Sequence, residues 1–377
     1  MQLNKRIKTC LSLYRIFSRA YFHLPFLVIY LYELGFDLIT IEIIMAIYGL
    51  AVFVYTKLPI NMKPSTFLSC RYTLLLSEVL KCVGLLLIII TQNFAGICFS
   101  QLLLGLGYGI SAGGDTRMIN HHIDDGGKFQ AQSNSLMFAS LLIAGLAGSV
   151  LFNIDIRLPF AASALADVVT GIICVMLPKE PGKNEVPKQQ REKVKLTYRE
   201  KNTICVYCLT RGIILTFFTG FLPYHLFIDI NIPIYGFIAI LTSYTFLGNI
   251  SSNFIATKIK HTYAVKVMNI CLFLSILMYF SEHLIMIIPA TVLLGLTSGA
   301  TRPICLNELR NIGSDMPVIL NLMESIYSVI NLLLLIAGGI LYQFYGFRQM
   351  LSLLLLLFII YIILNVYFMK RSVTNEN

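Results

Sequence analysis

The sequence predicts an all-α polytopic membrane protein, with about twelve transmembrane helices in two pseudo-symmetric six-helix bundles. Three observations carry that expectation. Only 13% of the 377 residues are charged and 57% are hydrophobic, against about 25% charged in an ordinary soluble domain. About twelve apolar stretches reach the roughly 20 residues that a helix needs to cross a bilayer. Sequence words also recur between equivalent helices of the two halves. LLLGLGYG at 102–109 matches VLLGLTSG at 292–299, which sets Gly105 over Gly295 and Gly109 over Gly299 at an offset of 190, and LLIAG at 141–145 returns at 334–338.

Taken in order, the first spans are 16–35 and 38–57, followed by 72–92 and 95–114. Each pair is joined by so few residues that it must form an antiparallel hairpin. The fifth and sixth spans, 135–153 and 159–177, complete the first half. The basic, then apolar start MQLNKRIKTCLSLYRIF lacks a small-residue cleavage site and runs into a longer apolar stretch, so it is expected to belong to the mature chain. The longest polar stretch, PKEPGKNEVPKQQREKVKLTYREKN, holds eight Lys or Arg and reads as a solvated cytoplasmic linker or a lipid-surface contact. It divides the chain into an N-terminal bundle over 1–178, a linker over 179–201 and a C-terminal bundle over 202–377. The second half continues with 203–228, 232–255, 264–281, 284–302, 318–342 and 347–369.

Charge sets the orientation. Lys5, Arg6, Lys8, Lys63, Arg71, Lys128, Lys258, Lys260, Lys370 and Arg371 fall on the side of the termini, whereas only Arg157 and Arg348 fall on the other. Lys and Arg gather on the cytoplasmic side of membrane proteins. Both termini are therefore expected in the cytoplasm, in a bacterial inner membrane. Glu33, Asp37, Asp155, Asp229 and Glu282 mark the outer segments. The formal charge of +10 is thus topological, which argues against nucleic acid as a partner. The nine cysteines have no framework spacing, and Cys205 and Cys208 form a lone C-x-x-C inside a span, where packing is the expected role. No disulfide, metal or cofactor is expected.

Three stretches resemble the major facilitator superfamily, especially its bacterial drug- and antibiotic-efflux members. RAYFHLPFLVIYLYELGFDLITIEIIMAIYGLAV at 19–52 is similar to that family's first hairpin, and QLLLGLGYGISAGGDTRMIN at 101–120 resembles its glycine-rich fourth helix and acid-bearing turn. QSNSLMFASLLIAGLAGSVLFNIDIRLPFAASAL at 132–165 is similar to the fifth and sixth helices. Departures stand beside the likeness. The inner turn LPINMKPSTFLSCRYT has Asn61 and Ser65 near the family's glycine and aspartate and keeps only Arg71 as a clear base. Gln101 replaces a common basic residue, and the fifth helix has Gly145 and Gly148 without the antiporter proline. The resemblance implies alternating access by a monomer, and within the efflux group it extends weakly to exporters of peptide antibiotics of the microcin C type.

Ionisable groups at bilayer depth are costly and face the interior or a water-filled cavity. Asp167 stands mid-span in ALADVVTG with no partner on its own helix and is the leading proton-coupling candidate, followed by Glu324 and Glu78. Glu78 and Lys81, three apart, also suit a structural ion pair. Glu33, Asp37 and Glu42 read as a solvated outer rim. Asp115 and Arg117 suit a charge-pair gate or a helix-end cap. Arg211 and Glu324 suit a pair across the cavity or contact with a charged substrate group. His23 with Pro25 and His225 with Pro223 stand at analogous places in the leading span of each half, as packed residues or cavity residues. With 20 Tyr, 25 Phe and no Trp, stacking must use Tyr and Phe, and Tyr30, Tyr32, Tyr48 and Tyr244 are cavity candidates. The glycines read as close-approach points between helices.

No metal-ligand cluster, nucleophile elbow or phosphate loop is present, which argues against an enzyme. The expected function is secondary active export of an antibiotic, peptide toxin or similar amphipathic compound, coupled to protons. The alternatives are uptake of a sugar or small metabolite, and a membrane sensor or assembly protein that does not transport.

Overall fold

The computed structural model describes residues 2–58, 62–112, 114, 118–119, 122–123, 126–178, 196–314 and 316–376. Among them there is no β-strand. Among the described residues ten helices are long and apolar enough to cross a membrane, and two shorter apolar helices, Leu24–Glu33 and Gly236–Ser251, fall in the first and eighth positions. Twelve spans result. An even number returns the chain to the end where it began, and that is called the terminal end below, with the opposite one the far end.

The first span differs from the expected 16–35. A helix over Gln2–Phe17 stops, residues 18–23 are irregular, and helical structure resumes at Leu24–Phe26 and Leu27–Glu33. Pro25 is the physical reason. It has no N–H to donate and crowds the backbone before it, so it is tolerated in the first turn of a helix but not in its interior. The freed backbone groups find partners. Ser140 Oγ donates to the Ile16 carbonyl at 2.7 Å, and Ser163 Oγ accepts from the His23 N–H at 3.2 Å.

Most of the proposed linker, 179–195, lies outside the described residues. Its last four positions are helical, because Thr197 and Glu200 form a reciprocal capping box that starts the seventh span at Tyr198. That span, Tyr198–Asp229, contains two π-helical turns, Phe217–Phe221 and His225–Asp229, on either side of Pro223. Spans ten to twelve run 29 or 30 residues, about 44 Å at 1.5 Å per residue, so they project past the roughly 30 Å hydrocarbon layer. Between spans eleven and twelve, Gly346 alone makes the turn at φ +88°, and its N–H donates to the Tyr342 carbonyl at 2.8 Å. That left-handed conformation is why glycine stands there.

The two halves meet along two helix pairs, span two with span eleven and span five with span eight. Adding six to each member of one pair gives the other, as a two-fold pseudo-axis along the membrane normal requires. The repeated glycines obey the same relation. A Cβ on Gly105 of span four would strike the carbonyl oxygen of Tyr48 in span two, and one on Gly295 of span ten would strike that of Tyr244 in span eight. Each glycine lets two backbones of its own half approach closely.

Glu42 corrects the expectation of a solvated rim. Glu33 and Asp37 are exposed, but Glu42 is fully buried, with neither carboxyl oxygen hydrogen-bonded. It lies one turn into span two, on the face that meets the other half. A Cβ on Gly220 of span seven would lie 2.9 Å from its Oε2, and one on Gly339 of span eleven 3.1 Å from its own Cβ.

Candidate functional site

A cavity of about 310 Å³ lies at mid-depth between the halves. Five charged side chains line it: Arg19, Lys81, Asp167, Arg211 and Arg302. Arg19 comes from the irregular stretch of the first span, which also presents Tyr21 and His23. Non-helical backbone at membrane depth is tolerated where it lines such a cavity.

One wall carries a buried ion cluster. Lys81 Nζ lies 2.5 Å from Glu78 Oε2 and 3.7 Å from Asp167 Oδ1. Glu78 also accepts from the Tyr14 hydroxyl at 3.4 Å, whereas Asp167 Oδ2 is buried without a hydrogen-bond partner. The glycine-rich fourth span makes room for this cluster, because a Cβ on Gly107 would sit 2.8 Å from Lys81 Cγ. The expected Glu78–Lys81 pair is therefore present, and Asp167, unpartnered on its own helix, joins it from span six.

The opposite wall is built on Arg211. It donates to the Tyr207 hydroxyl at 2.8 Å and to the Tyr108 hydroxyl at 3.3 Å, the second bond crossing between the halves. Its guanidinium also lies over the rings of Tyr207 and Tyr327, at 5.4 and 5.0 Å. Glu324 does not reach Arg211 directly. Tyr207 donates to its Oε1 at 3.3 Å and stands between them. Tyr48 meets Tyr108 at a tilt, with ring centroids 5.9 Å apart, and Tyr108 in turn lies beneath Arg19 at 5.4 Å.

The other sequence candidates are dispersed. His23 lines the cavity with Nδ1 2.8 Å from Ser163 Oγ. Tyr30 lies away from it, buried, with its ring 4.7 Å from Phe160 and its hydroxyl donating to the Ile88 carbonyl at 3.1 Å. Tyr244 sits one layer behind the wall, stacked at 3.7 Å on Phe218 and donating to Ser298 at 2.8 Å. His225 belongs to a separate far-end cleft, where it stacks on Phe347 and lies 3.0 Å from Asp229 Oδ2. Tyr32 lines the same far-end cleft. Both histidines neighbour the prolines of the leading spans, but only the first span breaks, so only His23 is turned into the cavity. Asp115 and Arg117 lie outside the described residues. Sequence reasoning missed the cavity roles of Arg19, Tyr108, Tyr207, Arg302 and Tyr327. The one available signal was the placement of Arg19 and Tyr21 just before a proline that could not continue a helix.

The far end is closed across the halves. Gln343 of span eleven donates to Asp37 Oδ2 at 3.0 Å and accepts from the Ile39 N–H at 2.9 Å, while Tyr32 and Tyr224 meet edge to face at 5.7 Å. The Asp37 carboxyl is held below the usual range, first by the Thr40 side chain, against the opposing effect of burial, and to a lesser degree by the Gln343 amide. At the terminal end, Lys63 lies 3.3 Å from Asn321 Oδ1 and donates to the Thr56 carbonyl at 3.1 Å. Burial lowers the Lys63 ammonium below its ordinary range.

A paired-bundle fold with a cavity lined by five charged side chains between its halves defines a membrane transporter architecture. The sequence profile of the Major Facilitator Superfamily matches residues 16–309, and the chain belongs to that superfamily of multi-pass membrane transporters. A comparison with curated protein sequences found no match. Among solved structures, the human organic anion transporter MFSD10 (TETRAN) is similar over 96% of this chain and 99% of its own, with a TM-score of 0.69 at 12% identity. The nucleoside transporter NupG is similar over 97% of this chain and 99% of its own, with a TM-score of 0.71 at 13% identity. At such identities the likeness is one of fold.

Proposed function

We propose that this chain is a proton-coupled secondary transporter that exports a small amphipathic compound by alternating access, with both termini in the cytoplasm. The observation that carries the reading is Lys81 held between Glu78 and Asp167 at the edge of a cavity enclosed by both halves. Three charges, with Asp167 Oδ2 buried and accepting no hydrogen bond, form a site where one proton changes the balance. With Asp167 charged, Lys81 is shared by two carboxylates. With Asp167 protonated, Lys81 falls to Glu78 alone and the sixth span is released from the third. Rocking of the halves about the two interfaces then exposes the cavity to either side. A volume of about 310 Å³ stands at the small end of the roughly 300–1,000 Å³ typical of ligand sites. It favours a small organic molecule over a peptide antibiotic.

The class is tested by the accumulation of candidate compounds in cells with and without the protein, and the coupling by Asp167→Asn. This variant keeps shape and removes the titratable group. Gradient-driven export should fall at least about tenfold while exchange of bound substrate down its gradient survives. Unchanged active export would remove Asp167 from coupling. Reporter fusions near residues 5 and 373 should read as cytoplasmic, and those near 37, 155 and 283 as external.

A further inference from the structure

Two of the cavity's arginines, Arg211 and Arg302, are answered by no carboxylate among the described residues. Of its five charged lining residues four are cations, and the single acid, Asp167, is committed with Glu78 to Lys81. Among the described residues, Arg211 has no carboxylate within ion-pairing distance. Its hydrogen bonds go to two tyrosine hydroxyls, and its Nε is buried with no acceptor at all. Arg302 lines the same cavity with neither a hydrogen bond nor an ion pair among the described residues, within electrostatic reach of the Tyr207 hydroxyl that Arg211 holds. Glu324 answers Arg211 only through Tyr207. A guanidinium at bilayer depth without a counter-charge is costly, and its planar fork matches carboxylate and phosphate oxygens in pairs.

We infer that the transported compound is an organic anion, its carboxylate or phosphate bound by Arg211 and Arg302 and its aromatic or aliphatic body lying against Tyr48, Tyr108 and Leu104. The inference rests on reading this cavity as the substrate site. Several features converge on it. The anion supplies the acceptor that Arg211 Nε lacks. The rings of Tyr108 and Tyr48, centroids 5.9 Å apart and tilted at 44°, give an aromatic surface for a body beside the charged head. Gln101, buried on the same lining with its Nε2 unpartnered, is a further donor for an oxygen on that body. An ammonium substrate would instead face Arg211 and Arg302 and meet one carboxylate already held by a lysine.

The test uses purified full-length protein in detergent and measures thermal stabilisation and equilibrium binding with three matched sets of probes. Benzoate, 1-naphthoate and 1-naphthyl phosphate are the anions, benzamide and 1-naphthamide the neutral counterparts, and 1-naphthylmethylammonium the cation. At least one anion should bind about tenfold or more tightly than its neutral counterpart, a difference of one charge-assisted contact. Arg302→Gln, at a half-buried residue with no partner among the described residues, should abolish most of that preference, and Arg302→Lys should restore part of it. Binding of no anion, equal binding of the amides, or preferential binding of the ammonium compound would overturn the inference, whatever the variants do. Proteoliposomes loaded with the binding anion separate the two readings. Anion binding without counterflow would uphold the anion site and sink the transport reading. Counterflow of the neutral or cationic probes alone would uphold transport and sink the anion site.

Discussion

Replacement of Glu42 by methionine should stabilise the conformation described above. The carboxyl is fully buried between the halves, its two oxygens accept no hydrogen bond, and the side chain lies against the bare backbones at Gly220 and Gly339. A buried polar group without a partner costs about 1–3 kcal/mol relative to one that is satisfied, and an apolar side chain of similar length removes that cost while keeping the slot filled. The gain applies only while spans two, seven and eleven are packed together, because opening of the far end returns position 42 to a hydrated surface. A shift of about 1–3 kcal/mol corresponds to fivefold to 150-fold in the closed-to-open ratio. The assay is modification of Thr219→Cys, a cavity position, by a thiol reagent supplied from the far end, in a background with the nine native cysteines replaced. Glu42→Met should slow the modification at least about fivefold and raise the melting temperature, and Glu42→Gln should do so less. Faster labelling together with a lower melting temperature in Glu42→Met would show that the carboxyl has a partner in the folded protein, and the reasoning from burial would be wrong.

Gln343→Ala removes both hydrogen bonds of the far-end clamp and should speed labelling of the same Thr219→Cys reporter, an effect absent if the clamp does not close the cavity. The Asp37 side of that clamp adds a pH dependence. Its carboxyl is held below the usual range first by Thr40 and to a lesser degree by Gln343, so the Gln343 share of the clamp is present above the ordinary carboxylate pKa of about 4 and is lost as pH falls through the lowered value. Labelling in wild type should rise in acid and that in Gln343→Ala should rise less. Gly105→Ala and Gly295→Ala each drive a methyl group into a carbonyl of the neighbouring helix, and each should destabilise the protein by about 1–3 kcal/mol, measured by thermal melting. Gly313→Ala meets no atom within 4 Å and is strained only through its φ of +77°, so it should cost about 1 kcal/mol or less.

Most of the helix plan was legible because the bilayer imposes length and hydropathy directly on sequence. Boundaries failed where local chemistry overrode hydropathy. Residues 16–23 are apolar enough to continue a span, but Pro25 fixes the start of a new helix and leaves the preceding turn unwound. Tyr198–Lys201 reads as polar linker, but Thr197 and Glu200 together supply the cap that starts a helix there. Within the site, Glu78 with Lys81 was readable from i,i+3 spacing, whereas the contact of Lys81 with Asp167 joins spans three and six and depends on how two helices rotate about their axes. Glu42 failed for the same reason. Its depth from the far end was readable, but the face it presents to Gly220 and Gly339 was not, because a helix that is apolar all round carries no stripe to show which side is inward.

The leading spans of the two halves carry the strongest departure from symmetry, and it decides where each half is polar. Both have a proline and a histidine two residues apart, in opposite order: His23 precedes Pro25, and His225 follows Pro223. In the first span the proline begins a helix, so the residues before it unwind and turn Arg19, Tyr21 and His23 toward the cavity. In the seventh, the helix passes through Pro223 on widened π turns, which absorb the missing donor without a break. The histidine beyond it stays on the helix and points to the far-end cleft beside Asp229 and Tyr342. The leading span of the first half therefore gives the cavity its polar groups from irregular backbone, and that of the second gives Tyr207 and Arg211 from a continuous helical face. If that account is right, Pro25→Ala should let the first span close into a longer helix and withdraw Arg19 from Tyr108, whereas Pro223→Ala should leave the cavity side chains in place. Distances between spin labels at Ser18 and Tyr108 would read the difference, with a change in the first variant and none in the second. The reverse pattern would mean that the irregular turn is held by Ser140 and Ser163 rather than by the proline.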